Sequence, residues 1–326
     1  GSAYVMIEGV FEFYFEMMSR EEQIVYRAIY DGLLNMHEGF VVPRCEYDKL
    51  GDIFEKITDD HPEIFYVKSI KIQSGGLFSG YRIIPEYRFD KEEVQYINSE
   101  IKKEVEAVLR KCRETDSFEI EKMIHDYLVG KATYKDVDAP YSHEMPGVFL
   151  YGIGVCEGMA KAFKYLCDLV GIRSGIIVGN TKSEASAHAW NQVCIENKWY
   201  NVDVTFDSNL SKYAGDIRYD YFNVTDAELS DRTSFYTVPE CREYYGFYVK
   251  KRQFANCQKE LKAILRKRHG NIVSVQLPRI NCPQRQLDEY LLETISDGLG
   301  RFGAYNVSIA PNYEMNVFTV KINKEL

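Results

Sequence analysis

The chain lacks most of the features that would assign a chemistry at once. None of its eight cysteines (Cys45, Cys112, Cys156, Cys167, Cys194, Cys241, Cys257 and Cys282) belongs to a CxxC pair, and none has zinc-knuckle spacing. In a chain of 326 residues they do not read as a disulfide framework, which favours a reducing, cytoplasmic compartment. Gly1-Ser2 reads as a cloning remnant, which leaves room for a leader upstream and for a secreted or cell-surface protein. No run of eighteen apolar residues is present, so nothing here reads as a membrane span. Cations are in deficit: 40 Lys and Arg against 49 Asp and Glu leave a net charge of −9. That balance argues against a nucleic acid or an anionic membrane as the main partner, since either requires a basic stripe.

Phosphate and metal motifs are missing as well. Neither GxGxxG nor GK[ST] occurs, and although Gly152-x-Gly154 precedes a helix, Glu157 in its first turn would repel a phosphate. No loop of alternating Asp and Asn with a distal Glu appears, so calcium is not expected. Neither a cofactor nor a metal follows from the sequence. Internal repeats and low-complexity tracts are absent too.

What is present suits a multidomain globular protein. At 45% hydrophobic and 14% aromatic, the chain is long enough for two or three domains with sizeable cores. Residues 1–115 read as a helical domain with a small β-hairpin: a helix capped by Ser19, another over 46–57, and strands over 64–72 and 81–87. A long helix then starts at Asp90, with Glu92 and Glu93 early and Arg110 late to match its dipole. His37 and His61 have no partner at metal-ligand spacing and read as structural. Residues 116–244 read as an α+β domain: a helix from Ser117 to Val129, a loop-like stretch reaching Pro146, a cysteine-bearing helix, then strands over 173–178, 187–195 and 199–204. Residues 245–326, ordered α-β-α-β-β with a first helix over 253–269, read as a small α/β sandwich for packing or recognition.

The chain is organised around Tyr151–Gly171. Gly152 and Gly154 make a turn, and Met159, Ala160, Phe163, Leu166, Cys167 and Val170 form one apolar face of a helix that Gly171 ends. Cys156 therefore sits at a helix N-terminus, where unpaired N–H groups and the macrodipole favour negative charge. That place suits a nucleophile. A thiol becomes an efficient acyl-transfer nucleophile when an imidazole takes its proton and a third polar group holds the imidazole. His188 follows Cys156 by 32 residues at the start of a strand, and Asp203 follows His188 by 15 on the next strand. A hairpin turn centred on Asn197 leaves these two about three residues out of direct opposition, which requires a twist, a bulge or Asp207 instead. Asp203 is preferred because it reads as part of a strand, whereas Asp207, beside Ser208 and Asn209, reads as a turn residue.

GVCEGMAKAF, AHAWNQV and WYNVDVTFD resemble the three catalytic boxes of the transglutaminase-like superfamily of papain-like cysteine enzymes, and Ile124–Val129 resembles the segment that precedes them in bacterial members. The resemblance spans about 115–230. It implies a papain/transglutaminase-like α+β core with Cys156 as nucleophile, His188 as general base and then acid, and Asp203 as the orienting group. It also implies a peptide or protein substrate and, as in bacterial members, hydrolysis of an amide rather than cross-linking. Protein-glutamine transglutamination and a catalytically inactive scaffold that binds a protein partner are the alternatives. The tryptophan or glutamine that supplies a second oxyanion donor in relatives has no counterpart upstream of Cys156, since Trp190 and Trp199 are both downstream. Tyr134 or Tyr151 is left as a donor, and Trp190 as either a wall of the acyl pocket or core.

Overall fold

In the computed structural model, residues 9–74, 80–113, 115–134, 141–182, 185–299 and 305–324 are described. The chain divides into two compact units, residues 1–199 with 231–239 and residues 200–230 with 240–326. This division departs from the three-part organisation expected at 115/116 and 244/245, for reasons visible in the packing of each unit.

The first unit opens with α1 (Arg20–Leu34), whose Ser19 cap accepts the Glu22 N–H and donates its hydroxyl hydrogen to the Glu22 carboxylate. Next come β1 (Phe40–Val42), α2 (Tyr47–Asp60), β2 (Val67–Ser74) and β3 (Tyr81–Tyr87), with the strands forming a small antiparallel sheet ordered β1-β3-β2. The expected hairpin is therefore joined by a third strand. α3 (Lys91–Lys111) is capped by Asp90 as its sequence suggests, and α4 (Ser117–Lys131) leads through β4 (Thr133–Tyr134), α5 (Met145–Tyr151) and β5 (Ile153–Gly154) into α6 (Cys156–Val170). β6 (Ser174–Thr181) and β7 (His188–Ile195) are antiparallel neighbours. β8 (Lys198–Val202) follows a two-residue turn in which Glu196 and Asn197 are both left-handed (φ +53° and +67°), the signature of a type I′ hairpin.

α6 is the central helix, packed by α3, α4 and α5 and by both β6 and β7. Every residue from Gly158 to Asp168 is buried, so it is not the one-faced amphipathic helix its apolar spacing predicts. Its polar side is closed by ion pairs. Lys164 donates to both carboxylate oxygens of Asp168 (2.7 and 2.8 Å) and to the Phe11 carbonyl (2.7 Å), and Lys161 donates to both oxygens of Glu144 (3.0 Å each). The N-terminal arm enters the same unit: Phe13 and Tyr14 pack with Ile177 and Trp190, and the Tyr14 hydroxyl donates to the Ile176 carbonyl. The first hundred residues thus share a core with the cysteine helix instead of forming a separate body.

A buried histidine braces that arm. His61, just past α2, stacks on Tyr30 at 3.9 Å, with Nδ1 2.6 Å from Glu63 and Nε2 2.7 Å from Glu12, which Arg27 also pairs. Two carboxylates can only accept, so both ring nitrogens donate and the ring is an imidazolium. Burial alone would push it down, but Glu63 and Glu12 hold it up at about 9 from its ordinary 6.5. Because the folded value is the higher one, this contribution is whole below about pH 6.5 and drains away as pH rises through about 9. Denaturant unfolding is expected to show a loss of about 3 kcal/mol between pH 6.5 and pH 10, at roughly 1.4 kcal/mol per pH unit. His61→Gln should flatten that limb; an unchanged slope in the variant would remove the brace.

The second unit holds the end of β8, α7 (Val204–Ala214), β9 (Phe222–Val224), α8 (Phe247–Lys250), α9 (Gln258–Arg266), β11 (Ile272–Gln276), α10 (Gln284–Leu299), β12 (Tyr305–Asn312) and β13 (Val317–Lys324); β10 (Arg232–Ser234) belongs to the first unit, beside β6. The sheet β11-β13-β12 is antiparallel, and Leu261, Leu265, Leu287, Leu291 and Ile295 pack on Val275, Phe318 and Val320. The α-β-α-β-β sandwich is present as expected. α9 is shorter than its 253–269 basic–apolar pattern suggests, because Gln253–Ala255 instead pair with β11. Arg218 explains why residues 200–230 belong here. Fully buried, it forms a two-bond pair with Asp220 (2.9 and 2.7 Å) and donates to the carbonyls of Ala310 and Val317. A buried guanidinium so tied cannot leave the sandwich without orphaning its partners.

Candidate active site

The approach to Cys156 is set by the backbone. Gly152 ends α5 with φ +63°, and a Cβ there would come 2.9 Å from the Lys131 carbonyl oxygen, so glycine is required on two counts. β5 then pairs in parallel with β4, and the Val155 N–H donates to the Ser142 carbonyl at 2.9 Å. Val155 occupies the N-cap without a side-chain bond, so no side chain there satisfies the first-turn N–H groups of α6. Cys156 opens that helix as expected. Its half-buried side chain packs with Val178 against Ala160, Ile176 and Ala189.

Val178 and Ala189 face each other on the β6–β7 ladder, and the next pair along is Gly179 with His188. Cys156 therefore packs on the face of the sheet that carries Ile176 and Ala189, and His188 is the residue of β7 next to Ala189. His188 is buried and opens β7. Its ring lies nearly parallel to Trp190, 6.0 Å away with 17° between planes, and the Arg232 guanidinium sits 5.0 Å from the Trp190 centre. On the other side of β7, Asn191 donates to the carbonyls of Ala160 (3.0 Å) and Gly175 (3.3 Å), tying α6 to the sheet. Gly179, opposite His188, was not singled out from sequence. A Cβ on it would lie 2.0 Å from the Thr233 carbonyl oxygen, so β10 closes on the strand only because this residue has no side chain. A lone glycine within a strand pattern was the signal that could have found it.

Asp203 lies in the second unit. It is not inside a strand: it follows β8 and caps α7, its Oδ1 accepting the Phe206 N–H at 2.9 Å, while its own N–H donates to the Tyr221 carbonyl. Asp207 is not a turn residue either; it is buried within α7 and accepts the Tyr221 N–H at 2.9 Å. The cap gives a means of separating structure from chemistry at Asp203. Asp203→Ala is expected to cost about 1–2 kcal/mol of stability, whereas Asp203→Asn keeps an accepting oxygen and should stay within about 0.5 kcal/mol. Activity that falls in the asparagine variant at unchanged stability gives the carboxylate a role beyond the cap; full activity there would leave it only the cap.

The remaining candidates are dispersed. Trp190 is buried with Phe13, Tyr14 and Ile177. Tyr151 is 58% exposed at the end of α5 and lies against Tyr141, with ring centres 5.0 Å apart. Tyr134 pairs through its backbone with Gly154, and its side chain lies outside the described residues. Glu157, in the first turn of α6, meets His143 (3.1 Å) and Lys161 (3.3 Å). Burial would raise its carboxyl, but Lys161 and His143 hold it down at about 2. His125 is buried beside Asp126. All eight cysteines are unbridged thiols, and among the described residues no group of three or more His, Cys, Asp or Glu is placed to hold a metal ion. Among the same residues no helix is long and apolar enough to cross a membrane.

Residues 91–204 match the family model of the transglutaminase-like superfamily. The match starts at the first residue of α3, earlier than the three boxes suggest, and ends one residue after Asp203. No curated protein matches the chain. Three solved structures are similar: a TGase (13% identity, 50% of this chain and 48% of that one, TM-score 0.31), a cysteine-protease candidate from Cytophaga hutchinsonii (13%, 42% and 62%, 0.29), and the periplasmic domain of TgpA from Pseudomonas aeruginosa bound to ethylmercury (12%, 39% and 56%, 0.27). The chain covers less than two thirds of each.

Proposed function

We infer the chemistry of this chain from the family model that its residues 91–204 match, that of the transglutaminase-like superfamily. The reading is a thiol-dependent acyl-transfer enzyme acting on amide bonds of peptides or proteins. The observation that supports it is the place of Cys156, first in α6 at an N-terminus with no capping side chain, with His188 buried at the start of β7.

In this reading His188 takes the proton of the Cys156 thiol and the sulfur attacks the amide carbonyl carbon. The carbonyl oxygen becomes an oxyanion at the uncapped N-terminus of α6, where backbone N–H groups can donate to it. When the C–N bond breaks, the imidazolium returns its proton to the departing amine and a thioester remains. Water, deprotonated by His188, then attacks the thioester and releases the acid and the thiol. Asp203 is the orienting group that the resemblance implies. Hydrolysis is favoured over transfer to an amine, as in the bacterial members that the three boxes resemble.

Product analysis tests the choice of acceptor. With a casein-type protein substrate, new N-termini and free acid are the expected products, without build-up of a labelled primary amine supplied at low concentration. Steady incorporation of that amine into protein would replace hydrolysis by transglutamination.

A further inference from the structure

The basic residues of this acidic chain are unevenly placed. From Lys250 to His269 there are eight Lys and Arg against one carboxylate, Glu260, in a protein whose net charge is −9. Much of that surplus borders one groove of about 980 Å³ lying wholly within the second unit. α9 provides one wall, because Glu260, Ala263, Ile264 and Lys267 recur at helical spacing on the face opposite buried Leu261 and Leu265. The end of α8, the segment Gln253–Asn256 and the start of β11 provide the others.

We propose that this groove binds a small organic anion, with phosphate groups held by Arg252, Lys267 and Arg268 and an apolar or aromatic body resting on Phe254, Ile264 and Ile272. Among the described residues, neither Arg252 nor Lys267 meets a carboxylate, and the buried Nε of Arg268 has no hydrogen-bond partner. The two carboxylates in the groove are already engaged: Asp216 accepts from the Ser274 hydroxyl at 2.9 Å, and Glu260 accepts from the Asn256 N–H at 2.8 Å. Arg252 also has φ +57°, at a helix end where glycine or asparagine would be less strained. Its side chain is therefore kept at a backbone position that disfavours it. Guanidinium forks match phosphate oxygens in pairs, and the groove's volume lies at the upper end of small-molecule sites. This inference goes beyond the acyl-transfer reading and does not depend on it.

Calorimetric titration of the full chain with inorganic pyrophosphate, adenosine diphosphate and adenosine tests it. Pyrophosphate and the diphosphate are expected to bind at one site, the nucleotide more tightly, and adenosine not measurably. Arg252→Gly combined with Lys267→Ala should weaken both anions by at least about tenfold. The glycine also relieves the left-handed strain, so the melting temperature should hold. Lys259→Ala, on α9 but outside the groove, should leave binding unchanged. No binding of either anion at millimolar concentration would overturn the proposal. So would binding that is equal in the double variant, equal losses in Lys259→Ala, or binding of a single-stranded oligonucleotide in place of both small anions.

Discussion

Cys156→Ala is expected to lower amide-cleaving activity by at least about 10⁴-fold while leaving the fold intact. Removal of a covalent nucleophile abolishes the thioester route entirely and leaves only what binding and oxyanion donors can do. The side chain itself contributes little packing, because it is half-buried at the mouth of α6 and touches only the edge of the Ala160–Ile176–Ala189 cluster. Its thermal midpoint should therefore stay within about 2 °C of the parent, corresponding to about 1 kcal/mol or less. Alkylation gives an independent reading. Cys156 should react with iodoacetamide near neutral pH far faster than the other seven thiols, of which Cys167 and Cys241 are deeply buried and pushed upward by burial. Equal rates across the exposed and half-buried thiols Cys45, Cys156, Cys257 and Cys282, together with full activity in the alanine variant, would leave a scaffold without an enzyme.

The largest stability effect is expected at Lys161. Lys161 is 3% exposed, bonds both oxygens of Glu144, and lies 3.3 Å from Glu157. Asp59 is buried near it, its carboxyl pushed well up by burial despite the lysine's attraction. Lys161→Met keeps the volume and removes the charge, leaving three carboxylates around an apolar tip. Breaking one side of a buried ion pair costs about 3–5 kcal/mol, mostly as the desolvation of what remains. The loss should depend on pH in a stated direction. Glu144 is raised by burial even with its lysine present, and without it should rise further. A carboxylate whose folded value lies above its unfolded one destabilises at high pH and ceases to do so once protonated. The variant should therefore recover part of its deficit between pH 7 and pH 5. A deficit below about 1 kcal/mol, or one that grows on acidification, would remove the ion pairs from any role in holding α6.

Local signals were legible wherever neighbours in sequence are neighbours in space. Ser19 and Asp90 cap the helices they precede, β3 spans Tyr81–Tyr87 as its pattern suggests, and Gly171 ends α6 in the left-handed region at φ +78°. Each depends on backbone groups within four residues. The polar side of α6 could not be read in this way. Lys161, Lys164 and Asp168 look like a solvated face, yet Glu144 closes one end and the Phe11 carbonyl the other, and neither contact leaves a periodic trace. Arg218 poses the same difficulty: nothing around it in sequence announces a fully buried cation, because its partners Ala310 and Val317 are some hundred residues on. Asp203 was misplaced for a local reason, since β-branched Val202, Val204 and Thr205 extend the strand pattern past the point where the aspartate begins a helix.

By itself the sequence determined the order of the elements, the helix that Cys156 opens, the strand that His188 opens, and the three boxes that resemble those of the transglutaminase-like superfamily. Those are matters of spacing, capping and residue type, which act over a few bonds. Only the tertiary structure decided that the N-terminal arm belongs to the core of the cysteine helix, that Arg218 carries residues 200–230 into the C-terminal sandwich, and that the scattered basic residues of 250–269 border one groove. Those outcomes depend on which buried charges and rings find partners far along the chain, and desolvation energies of several kcal/mol per ion, not local propensity, select among them.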